Sequence, residues 1–83
     1  MSIEDEILNY LAAERFPDGA PKDLTNDYDL IDSGTIDSRL MVGLIVLLER
    51  QYSIQFGSND IVPRNFRSIN ALAAFVRSQT GGQ

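Results

Sequence analysis

Few side chains in this chain of 83 residues can do chemistry unaided. Cysteine and histidine are both absent. Disulfides, Cys/His zinc sites and Ser–His or Cys–His nucleophile pairs are therefore excluded. Carboxylates and hydroxyls remain. Asp23, Asp27, Asp29, Asp32 and Asp37 follow one another with no basic residue between Lys22 and Arg39, and Ser38 comes directly after the last of them. A calcium loop of the EF-hand kind needs oxygen ligands at its first, third and fifth positions, glycine at the sixth and glutamate at the twelfth. Counted from Asp27, Ile31 and Asp32 fall at the fifth and sixth positions; counted from Asp29, Ile31 and Leu40 fall at the third and twelfth. The motif is absent, no metal ligand set is assigned, and the aspartates read as turn and cap residues. A small bundle with solvated charges leaves little room for a catalytic cleft, so no enzyme activity is expected.

Ser38 has two readings. In the plain one it shares helix capping with Asp37. In the other, it opens a helix whose free amides and dipole favour a phosphate. The same helix carries Val42 and Val46 on its outer side, which call for a partner surface.

The elements that must position this serine follow from periodicity. Ser2 caps a helix over about residues 3–15, with Ile3, Ile7, Leu8 and Leu11 on its apolar stripe and Pro17 ending it. Residues 17–37 form a long connection pinned by Leu30, Ile31 and Ile36. Such a loop is unusual unless functional. Asp37 caps the second helix, Ser38 to Tyr52, whose core arc is Met41, Leu44, Ile45, Leu48 and Tyr52, with Leu40 and Leu47 at the boundary. In the second connection, residues 53–67, Ile54, Phe56 and Phe66 act as anchors. Gly57 to Asp60 can start a helical turn that Pro63 limits. Ser68 caps a last helix over about 69–79, and residues 80–83 read as a flexible tail. The two connections carry few periodic apolar contacts and are expected to be the most mobile ordered parts. The fold class expected is all-α, a small four-helix bundle of three main helices and one short one, forming a single domain over 1–83.

Twelve acidic against seven basic residues give a net charge of −5, which disfavours nucleic-acid binding. No apolar run approaches a bilayer span, and the acidic start is unlike a signal peptide. A monomer in the cytoplasm is expected.

Three stretches together are recognisable: Leu30 to Ser38 (LIDSGTIDS), Leu44 to Tyr52 (LIVLLERQY) and Ile61 to Ile69 (IVPRNFRSI). They resemble the carrier-protein family of acyl, peptidyl and D-alanyl carrier proteins. The resemblance implies an acyl-carrier type of bundle in which Ser38 receives 4′-phosphopantetheine from coenzyme A. A phosphopantetheinyl transferase would attach the group, and Asp37 would cap the helix and contact that transferase. The thiol of the arm would hold an acyl or aminoacyl group as a thioester. A loading enzyme and a downstream synthase, transferase or thioesterase would supply the chemistry. The following helix would be the recognition element, with Val42 and Val46 as apolar contacts and Arg39, Glu49 and Arg50 as the polar rim. Two departures stand out: Arg39 follows the serine where the family usually has leucine, and the recognition helix holds a single acid, Glu49. They favour a discrete carrier in a specialised polyketide, nonribosomal peptide or aminoacyl-transfer pathway over a fatty-acid carrier. A helical interaction module that carries no prosthetic group is the competing reading.

Overall fold

A computed structural model describes residues 2–81. Four α-helices follow in order: α1 (Ile3–Arg15), α2 (Ser38–Tyr52), α3 (Pro63–Phe66) and α4 (Ile69–Gln79). A single 3-10 turn, Ser58–Asp60, precedes α3. No strand occurs among the described residues. The all-α bundle read from periodicity is the fold observed.

Each long helix starts at the cap its sequence announces. Ser2 Oγ accepts from the Asp5 amide at 3.1 Å, Asp37 Oδ1 from Leu40 at 2.8 Å and Ser68 Oγ from Ala71 at 3.0 Å. These bonds satisfy donors that the first helical turn leaves without a carbonyl partner. α1 ends at Phe16, the residue before Pro17. Pro63 has a different role from the one expected. It opens α3 as its first residue, where a missing amide costs nothing, and the turn at Ser58–Asp60 stays separate. Thr80 is also less free than expected. Its amide donates to the Val76 carbonyl and its hydroxyl to that of Arg77. The rest of the expected tail, residues 82–83, lies outside the described residues.

One core runs through the molecule. Ile7 and Leu11 of α1, Leu40, Leu44 and Leu48 of α2, Phe66 of α3, and Ile69, Leu72, Ala73, Phe75 and Val76 of α4 are buried together. The core stripe of α2 is rotated from the arc read off the sequence. Leu40 opens it, while Met41, Ile45 and Tyr52 are half-buried on its flank. The three leucines recur every fourth residue and so form a single ridge.

The two connections add Leu24, Leu30, Ile36 and Ile54 to the core. They are also bonded across the fold, a feature that few periodic contacts did not foretell. The Leu30 amide donates to the Arg67 carbonyl at 2.7 Å, Ile36 to the Leu30 carbonyl at 3.0 Å, and Asn70 to the Asn26 carbonyl at 3.0 Å. Turn-rich chain thus acquires partners through long-range pairing.

α1 is clamped to α4 by one fork. Arg77 Nη1 and Nη2 donate to Glu4 Oε2 and Oε1, both at 2.8 Å. The guanidinium holds the Glu4 carboxyl below the usual glutamate range. In the unfolded chain Glu4 titrates normally, so there the group binds more protons as pH falls. The contribution of Glu4 to stability is therefore full at neutral pH and lost as pH drops through its lowered value. Urea melts should place Glu4→Gln below the parent protein at neutral pH and level with it well below the ordinary glutamate range. An undiminished gap in acid would show that the fork is not the cause.

Candidate functional site

Ser38 is the first residue of α2 and is exposed. Three constraints place it there. Asp37 is extended, with φ −107° and ψ −178°, so the chain enters the helix sharply at the cap. Ile36 before it and Leu40 after it are buried, which fixes the chain on both sides of the exposed trio Asp37, Ser38 and Arg39. The preceding turn closes through Gly34, whose φ of +76° suits glycine and whose amide donates to the Ile31 carbonyl.

The acidic loop is built around Asp29. Its Oδ1 accepts from the amides of Ile31 at 3.0 Å and Asp32 at 2.8 Å. Its Oδ2 meets Arg67 Nη1 at 3.0 Å, and Asp32 lies 3.6 Å from the same nitrogen. The Asp32 amide above all, with the Ile31 amide and Arg67, holds the Asp29 carboxyl below the usual aspartate range. Asp29 is thus an Asx-turn organiser and a link to the second connection, as the turn reading of these aspartates expects. Among the described residues no group of three or more carboxylates stands as a metal site.

Three hydroxyls lie near this bend, and only one is disengaged. Ser33 Oγ and Thr35 Oγ1 pair at 2.8 Å, and Thr35 is buried. Among the described residues, nothing hydrogen-bonds the Ser38 hydroxyl. Apart from the capping Asp37, the charges and free amides around Ser38 leave room for an anion. The first turn of α2 has no acid, Arg39 is exposed beside it, and the amides of Ser38 and Arg39 precede the first intrahelical bond, which Met41 makes to Asp37. These residues fit a phosphate ester on Ser38.

Comparison with known proteins agrees with that fit. A family model described as phosphopantetheine attachment site matches residues 11–76. The chain belongs to the phosphopantetheine-binding carrier family. This carrier is also 25% identical, over 75 residues, to a protein described as probable acyl carrier protein PigG from Serratia sp. (strain ATCC 39006). That match covers 90% of this chain and 85% of the relative. A domain of this family is a site for covalent 4′-phosphopantetheine and has no catalytic role of its own; it works with modifying and biosynthetic enzymes. No helix of the carrier, among the described residues, is long and apolar enough to cross a membrane.

The remaining sequence-selected residues divide into two groups. Val42 and Val46 are 60% and 46% exposed, one turn apart, and Arg39 and Arg50 are exposed beside them. Ser38, Val42, Val46 and Arg50 recur every fourth residue and share one face of α2. Glu49 is turned elsewhere. It is half-buried, and its Oε2 accepts from the Phe56 amide at 3.0 Å. The acid read as part of the rim therefore holds the second connection against α2, and the outward charge of the helix comes from its arginines.

Tyr10 and Gly43 were not singled out in sequence. A Cβ at position 43 would run into the Tyr10 hydroxyl, so glycine lets the ring of α1 lie across α2. A contact between residues 33 positions apart leaves no local pattern to read.

The cap and the charge of Asp37 separate by substitution. Asp37→Ala should lower stability by about 1 kcal/mol through loss of the cap, whereas Asp37→Asn, which retains a capping oxygen, should stay within a few tenths. Denaturant melts of the two variants check this, and an equal loss in both would make the charge, not the cap, the stabilising feature.

Proposed function

We propose that Ser38 is the residue that carries 4′-phosphopantetheine, and that this protein holds an acyl or aminoacyl group on the arm for partner enzymes. The observation that carries the reading is the exposed, unbonded Ser38 hydroxyl at the start of a 15-residue helix, inside the region matched by the family model. In the transfer, Ser38 Oγ loses its proton and forms a phosphodiester bond. The pyrophosphate bond of coenzyme A breaks, and adenosine 3′,5′-bisphosphate leaves. When bound, the arm supplies the thiol that the cysteine-free chain lacks.

This chain's residues present the arm. Asp37 holds the helix start in place and is offered to the phosphopantetheinyl transferase. Val42 and Val46 form the apolar centre of the partner face, with Arg39 and Arg50 at its edge. Loading and release belong to a loading enzyme and to a downstream synthase, transferase or thioesterase, since no histidine or cysteine is available here. The partner face is basic at its edge although the chain carries −5 overall. That contrast favours a specialised polyketide, nonribosomal peptide or aminoacyl-transfer pathway in the cytoplasm over a fatty-acid carrier. The similarity to a probable acyl carrier protein supports an acyl cargo.

Intact-mass analysis after incubation with coenzyme A and a promiscuous transferase should show one phosphopantetheine adduct, absent from Ser38→Ala. A parent protein left unmodified by several such transferases would favour the module that carries no prosthetic group.

A further inference from the structure

α2 carries a second stripe beside its core ridge. Gly43, Val46, Leu47, Arg50 and Gln51 recur at helical spacing and, with Tyr10 of α1, line an open groove of about 530 Å³. The groove follows α2 from Gly43 to Gln51, about 12 Å at 1.5 Å per residue. Its floor exists because residue 43 is glycine and Tyr10 crosses there. Tyr10, Val46 and Leu47 make the lining aromatic and aliphatic. At the far end Gln51 Nε2 donates to Glu6 Oε2 at 3.3 Å and ties α1 to α2.

The charge at this groove runs against that of the chain. The protein carries −5 overall, yet the groove lining holds one arginine and no acid. With the separate recess beside Arg39 included, three bases face two acids. Arg39 and Arg50 are eleven residues apart on α2, close to three full turns. They therefore lie on one line along the helix, about 16 Å apart, with Gly43 and Val46 between them. Both are exposed, and among the described residues neither forms an ion pair, whereas Arg67 and Arg77 are paired with Asp29, Asp32 and Glu4. Nearby acids are engaged elsewhere: Asp37 accepts from the Leu40 amide, Glu49 from the Phe56 amide and Glu6 from Gln51.

We propose that this groove is the docking site for an acidic amphipathic helix of a partner enzyme. The proposal deepens the reading of α2 as the partner face and rests on it. An apolar groove along a helix accepts a second helix through side chains spaced three and four residues apart. Two unpaired arginines on one line then select carboxylates on the incoming helix. Acids eleven positions apart on that helix repeat the arginine spacing.

The contact surface thereby extends from Val42 and Val46 to Tyr10, Gly43, Leu47 and Gln51, on the side toward α1. The same two arginines repel a basic partner surface, so charge excludes wrong partners as well as attracting the right one.

The test titrates the full-length, unmodified ¹⁵N-labelled protein with three alanine-based helical peptides of about 20 residues. All three share one leucine stripe and differ only at two positions eleven apart, which hold glutamate, glutamine or lysine. The proposal predicts saturable amide shifts centred on Tyr10, Gly43, Leu47 and Gln51. The glutamate peptide should bind about fivefold more tightly than the glutamine one, and the lysine peptide most weakly. Roughly 0.5 M salt should shrink the gap. Arg39→Glu combined with Arg50→Glu should reverse the order, and if that variant loses its helical spectrum, Arg39→Gln with Arg50→Gln should erase it. Equal binding of the three peptides, preference for lysine, shifts centred elsewhere, or no saturable shift with any peptide would overturn the proposal. Shifts of the same amides on diluting the protein without peptide would assign the groove to a second copy and also overturn it. Attachment is read separately, by intact mass after incubation with coenzyme A and a transferase. An adduct without a peptide preference would sink the docking site alone, and a preference without an adduct would sink the attachment reading alone.

Discussion

Ser38 is useful only if a long, acidic, turn-rich connection ends at one place, and Leu30 is the anchor that makes it do so. Its side chain is fully buried, its amide is bonded to the Arg67 carbonyl, and its own carbonyl receives the Ile36 amide. Asp29 beside it organises the bend and reaches the Arg67 side chain. Burial supplies the free energy, and the bonds make burial possible, because buried backbone groups need partners. With Leu30 and Ile36 fixed from one side and Leu40 from the other, the exposed trio between them has little freedom. The rest of the site follows from that anchor.

The division of labour on α2 is a consequence of its ridge. Leu40, Leu44 and Leu48 take the core, so Ser38, Val42, Val46 and Arg50 are turned to solvent on another face. The exposed serine and the exposed valines therefore share one surface without cost to the fold. Arg39 in place of the usual leucine is tolerated for the same reason, since it is exposed. Glu49 shows the opposite case. One oxygen of its carboxylate accepts from the Phe56 amide, so the single acid of this helix is turned toward the second connection.

Most of the architecture was legible in the sequence because it is written in local signals. Ser2, Asp37 and Ser68 mark three helix starts, Pro17 marks one end, and the spacing of leucines marks the buried faces. Ser38 stood out as a serine behind an acidic, glycine-bearing loop, and the resemblance turned a cap into an attachment point. What stayed hidden depends on pairing between distant residues. The bond from Leu30 to Arg67, the fork from Glu4 to Arg77 and the crossing of Tyr10 over Gly43 have no periodicity. Pro63 was misassigned because proline ends one helix and begins another with equal ease, and only the chain direction around Val62 decides.

Among the described residues, the fold leaves the Ser38 hydroxyl of this bend free and engages those of Ser33 and Thr35. Cleavage after Lys22 and Arg39 yields a peptide that holds Thr25, Ser33, Thr35 and Ser38 together. Fragmentation of that peptide from the modified protein locates the phosphodiester directly. Every fragment bearing the adduct should contain Ser38, with Thr25, Ser33 and Thr35 unmodified. An adduct on Ser33 or Thr35, the pair that is bonded in this fold, would contradict it.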